Sequence, residues 1–198
     1  MNGRQGEGNQ MSFRVESKHL RDVVVLVPDA YEDERGLFVE AFRADQFRAL
    51  GLPDFFPQDN QSRSRRGVIR GLHFQWEPPM GKLMRVTYGT AFLVAVDIRK
   101  ASPTLGKWVG IEASAENRKQ VWAPAGFARG FAALSEFADV LYKCTGTYNH
   151  AGESGIRWDD AEIGIPWPVS NPVLSSKDRN AQTLGQWLAS LNSDNFRY

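Results

Sequence analysis

"GVIRGLHFQWEPPMGKLMRVTYGTAFLVAVDI", from Gly67 to Ile98, sets three β-rich runs one after another, divided by Gly and Pro. Branched, aromatic and long aliphatic side chains fill each run, and turn formers close it, which is the pattern of short strands. In the first run, strand alternation puts Arg70, Leu72 and Phe74 on one face and Gly71, His73 and Gln75 on the other. Gly, His and Gln make a poor core face but a reasonable lining for a polar cavity, with glycine leaving room for a ligand. The Gly89–Thr90 pair between the second and third runs predicts a tight hairpin.

The same punctuation extends in both directions. "VVVLVP" and "LFVEAF" flank an acidic turn upstream, and "KWVGIEAS", "KQVWAP", "GFARGFAAL", "ADVLYKCTGTY" and "GIRW" follow downstream. Many short strands at this spacing predict an all-β sandwich or barrel, not alternating β and α units. Helices are few and peripheral. "ADQFRALG" forms one, ended by Gly51. In "RNAQTLGQWLASLN", Leu184, Trp187, Leu188 and Leu191 fall on one apolar helical face that packs onto the outside of the sheets. No repeat or linker interrupts the pattern, so residues 12–198 read as a single domain. Residues 1–11 hold almost nothing to bury and read as a disordered extension.

Composition narrows the partners. Lys plus Arg is 24 against 23 for Asp plus Glu, which argues against binding nucleic acid or an anionic membrane through bulk charge. The "RSRR" run, Arg63 to Arg66, could form an anion site but reads more simply as a solvated loop. Cys144 is the only cysteine, so neither an internal disulfide nor a thiolate metal cage can form. The apolar runs are too short to cross a bilayer, and the N-terminus has no signal-like stretch. The expectation is a cytoplasmic protein.

The chain has three histidines, and His73 is the one inside a strand-like run. A transition metal wants several His, Cys or carboxylate ligands converging on one point, and a single strand histidine does not supply them. Neutral imidazole titrates close to cellular pH, so an acid–base role suits His73 better than ligation. Lys82 could present a cation to a developing oxyanion or lie on the surface. Tyr142 could be a core tyrosine with its hydroxyl at a barrel mouth, and Asp178 a turn or helix-cap residue. Spacing alone singles out none of these three.

Longer segments go further. "DERGLFVEAF", "QDNQSRSRRGVIRGLHFQ", "GKLMRV", "VAVDIRKASPTLGKWVG", "SAENRKQVWAPAGFARGF", "LYKCTGTY" and "GIRWDDAEIGIPWP", with "LSSKD" after them, run collinearly from about Val23 to Asp178. In that order and spacing the chain resembles the dTDP-4-dehydrorhamnose 3,5-epimerase family of nucleotide-sugar enzymes. The resemblance implies a cupin-like jelly-roll barrel, a homodimer, no metal or organic cofactor, and a dTDP-4-keto-6-deoxyhexose as substrate. It also implies roles. His73 corresponds to a general base, Asp178 to its orienting partner, Tyr142 to an acid on the opposite face of the sugar, and Lys82 to a lysine beside the 4-keto oxygen. Arg35, Phe38 and Glu40 match positions that grip the nucleotide, often across the dimer interface. Gln58, Asn60, Arg70, Tyr148 and Lys177 match positions near the diphosphate and base.

Two departures stand out. Family members commonly read "GFAHGF" where this chain has "GFARGF", so Arg129 replaces a second active-site histidine and joins the candidate substrate-binding residues. Members acting at both carbons commonly carry Asp where Leu93 stands. An arginine cannot serve as a base at neutral pH. The expectation is therefore epimerisation favouring C3 alone, with double epimerisation at C3 and C5 as the alternative. A different keto-sugar isomerase, a non-catalytic sugar-nucleotide binder and a metal-dependent cupin oxygenase are the remaining readings.

Overall fold

The computed structural model describes residues 12–198; the expected N-terminal extension, 1–11, lies outside the described residues. Two antiparallel sheets dominate. The six-stranded sheet runs, in spatial order, β1 (Phe13–His19), β2 (Val23–Pro28), β10 (Gln120–Ala123), β7 (Lys82–Tyr88), β12 (Phe137–Cys144) and β5 (Gln58–Arg65). The five-stranded sheet runs β13 (Glu153–Gly155), β6 (Ile69–Gln75), β11 (Phe127–Ala133), β8 (Thr90–Asp97) and β9 (Trp108–Ser114). A separate hairpin joins β3 (Ala30–Asp33) to β4 (Gly36–Val39). Three short helices lie outside the sheets: α1 (Ala44–Ala49), α2 (Ser176–Arg179) and α3 (Leu184–Ala189). This is the expected all-β jelly-roll arrangement, and no helix among the described residues is long and apolar enough to cross a membrane.

Apolar side chains fill three layers, as two faced sheets with covered outer faces require. Between the sheets lie Met84, Val86, Leu93, Phe131, Ala138 and Val140. Behind the five-stranded sheet, Leu72, Phe74, Val94 and Val96 pack under Leu184, Trp187 and Phe196. Trp187 meets Phe74 edge-on with ring centroids 4.6 Å apart. Outside the six-stranded sheet, Leu26, Leu83 and Trp122 are covered by Phe47 of α1 and by Leu52.

Three local expectations are corrected. β7 and β8 do not form a hairpin, because they belong to different sheets. Gly89 between them, with φ +69°, carries the chain across the sandwich, and a Cβ there would stand 2.1 Å from the Phe137 carbonyl oxygen. Turn chemistry marks the reversal but not which sheet the next strand joins.

The second correction concerns β6. β11 pairs Arg129 with His73 but Phe131 with Arg70, so Gly71 and Leu72 together oppose Gly130. This bulge breaks the alternation and turns Arg70 to the side of His73 rather than that of Leu72 and Phe74. Only glycines fit where the strands approach: Gly71 has φ +132°, and its Cβ would lie 2.6 Å from the Gly130 Cα.

The third correction is Leu191. Thr183 and Gln186 close a reciprocal capping box at the start of α3, but the helix stops at Ala189. Leu191 falls in the following turn and is 85% exposed.

Candidate active site

At one end of the space between the sheets the inward side chains turn polar. β7 contributes Lys82, β12 Tyr142, β11 Arg129, and β6 both His73 and the bulge-turned Arg70, around a cavity of about 120 Å³. Met84, Phe131 and Val140 form its apolar floor. An adjoining cavity of about 230 Å³ shares His73, Lys82 and Tyr142 with the first and adds Gln58, Asn60, Tyr148 and Lys177 to its walls. Seven strand residues, with Tyr148 from the loop after β12 and Lys177 from α2, thus bring nine of the thirteen sequence-predicted site residues to this mouth.

Asp178 joins from behind. Ser175 caps α2 by accepting from the Asp178 N–H, and its own hydroxyl donates to Asp178 Oδ2 at 2.9 Å. Asp178 therefore sits in the first turn of α2 rather than at its cap. The other carboxylate oxygen meets His73 Nε2 at 2.5 Å. Burial pushes the Asp178 carboxyl up, but the bonds from His73 and Ser175 outweigh it and hold the group below the ordinary aspartate range. A buried carboxylate fixed in this way sets the tautomer of a ring that lines the cavity and leaves its other nitrogen unengaged by Asp178.

Opposite the ring, the Lys82 ammonium lies 4.8 Å from the centre of the Tyr142 ring. Burial, with the Arg129 charge adding to it, brings Lys82 down to about 8. Burial likewise raises the Tyr142 phenol, which keeps its proton at neutral pH. Arg129 is buried and brought down by burial to about 10, so it stays cationic. Leu93 is wholly buried in the apolar layer and offers Arg129 no acceptor.

The remaining three residues lie apart. Arg35 pairs with Asp33 in the hairpin turn. Phe38 is 68% exposed and touches Tyr31. Glu40 lies 3.6 Å from Arg43. None of the three borders either cavity within one chain. The other histidines are also remote: His19 bonds Ser17, and His150 sits against Tyr148.

Sequence reasoning missed Glu153. Its carboxylate accepts from Lys177 Nζ at 2.6 Å and from the Tyr148 hydroxyl at 2.7 Å, tying together two residues expected near the nucleotide. A lone acidic residue opening a three-residue strand gives no periodic signal. Cys144, the single cysteine, also lines the outer cavity, its Sγ 3.7 Å from Asn60 Nδ2.

An imidazole backed by a carboxylate, facing a protonated phenol and a lysine brought down toward neutrality in a jelly roll, defines an isomerase class that works by moving protons. The comparisons with known proteins give the particular family. The family model for dTDP-4-dehydrorhamnose 3,5-epimerase matches residues 17–186, and the chain belongs to that family. It is 52% identical to the dTDP-4-dehydrorhamnose 3,5-epimerase of Shigella flexneri over 82% of this chain and 91% of the relative. It is 37% identical to the dTDP-4-dehydrorhamnose 3-epimerase of Streptomyces niveus over 88% of this chain and 85% of the relative. The dTDP-6-deoxy-D-glucose-3,5-epimerase of Legionella pneumophila, solved with dTDP-4-keto-L-rhamnose, superposes with a TM-score of 0.88. It is 43% identical, covering 94% of this chain and 98% of that one. The chain is a carbohydrate epimerase of this type.

Proposed function

We propose that the protein epimerises a dTDP-4-keto-6-deoxyhexose at C3, by proton abstraction and return next to the 4-keto group. The observation that carries the reading is the 2.5 Å His73–Asp178 pair facing Tyr142 and Lys82 across one cavity. His73 takes the proton through the nitrogen that Asp178 leaves free, and the carboxylate behind it holds the ring in place. The C–H electron pair becomes the enolate double bond, and the Lys82 ammonium steadies the charge gathering on the carbonyl oxygen. Tyr142 delivers a proton to the other face of the carbon, which inverts it.

Restriction to C3 follows from Arg129. The cavity holds one imidazole, and the place where the family commonly has a second is filled by a group that cannot take a proton at neutral pH. The existence of a 3-epimerase relative supports such a reaction on this scaffold. A second reading, inversion at both C3 and C5, is favoured by the 3,5-epimerase naming of the relative at 52% identity. Exchange in D2O separates the two. With dTDP-4-keto-6-deoxy-D-glucose, deuterium is expected at C3, whereas label at C3 and C5 alike would establish the double epimerase.

The nucleotide is proposed to lie along Gln58, Asn60, Arg70, Tyr148 and Lys177, where Arg70 and Lys177 supply charge for the diphosphate. Residues 12–198 act as one domain in a homodimer. Tyr31, Leu37 and Phe38, exposed on the β3–β4 hairpin, support the pairing, because Arg35, Phe38 and Glu40 would then reach a partner's cavity. No metal or organic cofactor is assigned. In support, no three His, Cys, Asp or Glu side chains among the described residues are grouped to hold a metal. The single buried, free cysteine suits the reducing cytoplasm.

A further inference from the structure

Arg129 is the one charged residue lining the inner cavity that neither the proposed proton transfers nor the proposed nucleotide path uses. It is 3% exposed. Among the described residues its terminal N–H groups donate only to main-chain carbonyls, those of Met80 at 2.9 Å, Ala123 at 3.2 Å and Pro124 at 3.5 Å. Its Nε–H is buried and has no hydrogen-bond partner among the described residues. No described carboxylate pairs with the guanidinium, and Leu93, diagonal to it on β8, is apolar. The nearby cavity cation, Lys82, repels it. Three carbonyls fix the group in place without cancelling its charge. A buried, uncompensated cation is costly to the fold. It is useful where negative charge arrives only as a reaction proceeds, since that is when its interaction strengthens.

We propose that Arg129 is a second oxyanion-holding residue of the reaction, sharing with Lys82 the charge that gathers on the carbonyl oxygen and engaging it more strongly in the transition state than in the bound substrate. This rests on the epimerase reading above. In the step concerned, the C–H bond breaks, its proton goes to His73, its electron pair forms the C=C bond, and the carbonyl π pair moves onto oxygen. Arg129 neither gives nor takes a proton. The cross-strand pairing of Arg129 with His73 sets the fixed charge beside the base that starts the step.

The two cations differ in endurance. Lys82 is faced by Arg129, Cys144, Glu153, Lys177, Tyr142 and His73, and loses its proton near pH 8. Arg129, faced by Lys82, His73 and Cys144, keeps its charge to about 10. The wild-type rate is therefore expected to fall above pH 8 to a lower plateau that Arg129 sustains.

The test compares wild type, Arg129→Met and Arg129→Lys, following kcat, KM and deuterium uptake on dTDP-4-keto-6-deoxy-D-glucose from roughly pH 6 to 10. Arg129→Met is expected to lose about 100-fold in kcat with KM moved less than about threefold. Its residual rate should drop about tenfold per pH unit above the Lys82 transition, with no plateau. Arg129→Lys, which keeps a cation and guards against a folding artefact, should lose no more than about tenfold. An unchanged kcat in Arg129→Met, a loss carried wholly in KM, or equal losses in the Met and Lys variants would overturn the inference. Absence of exchange in the wild type would sink the epimerase reading instead.

Discussion

The space between the two sheets has two ends lined by the same strands. At the closed end, β7 presents Val86, β11 Ala133, β12 Ala138 and β8 Ala91, all buried and apolar. At the open end, β7, β11 and β12 present Lys82, Arg129 and Tyr142. Two inward positions along, β7, β11 and β12 each change from a residue that stabilises to one that costs burial energy. The direction of charge-state change follows: burial lowers Lys82 and Arg129 and raises Tyr142. Packing at one end holds still the groups that the other end keeps partly desolvated, which is how a rigid scaffold preorganises a reactive site.

This contrast can be broken from either side. The largest effect is expected at the open end. His73→Asn should lower epimerisation on the order of 10³-fold, while the melting temperature stays within about 2 °C, since the ring is a third exposed and packs in no apolar layer. A matching loss of stability would mean that His73 is a structural residue. Next comes the closed end. Leu93→Ala should destabilise the fold by about 2–5 kcal/mol and leave kcat of the folded fraction nearly unchanged, which denaturant melts and active-site titration would check. Its full burial among Ala91, Ala95 and Phe131 leaves little room for collapse.

The smallest effect is an acid one. Asp178 is held below its ordinary value of 3.8. It therefore contributes stability that is fully present above that value and is lost as pH falls through the lower, folded value. Asp178→Asn should abolish this acid-side loss, so wild type and variant should converge in melting temperature as pH drops. Parallel curves down the acid range would show that the carboxylate is not charge-paired in the fold.

The two ends were also legible in the sequence to different degrees. Apolar alternation in "AFLVAVDI" and "KLMRVTY" points to strands and core directly, because burial rewards residue type and a period of two. His73 stands out by the same logic, as a polar interruption opposite Leu72 and Phe74. The face of Arg70 was misread because a bulge at Gly71–Leu72 is a two-strand event, created where Gly130 of β11 presses against it. The Gly89 reversal was visible, but sheet membership depends on β10 and β12, which come later in the chain. Asp178 is separated from His73 by 105 residues, and no local pattern joins them; family resemblance did. Glu153 escaped both routes, since its meaning lies in Lys177 and Tyr148 converging on it.

One base–acid pair at the open end is proposed to invert one carbon. Position-resolved NMR of deuterium uptake from D2O into dTDP-4-keto-6-deoxy-D-glucose tests it most directly. Enzyme-dependent label is expected at C3, absent with His73→Asn, and none at C5. Label entering C5 as fast as C3 would contradict it.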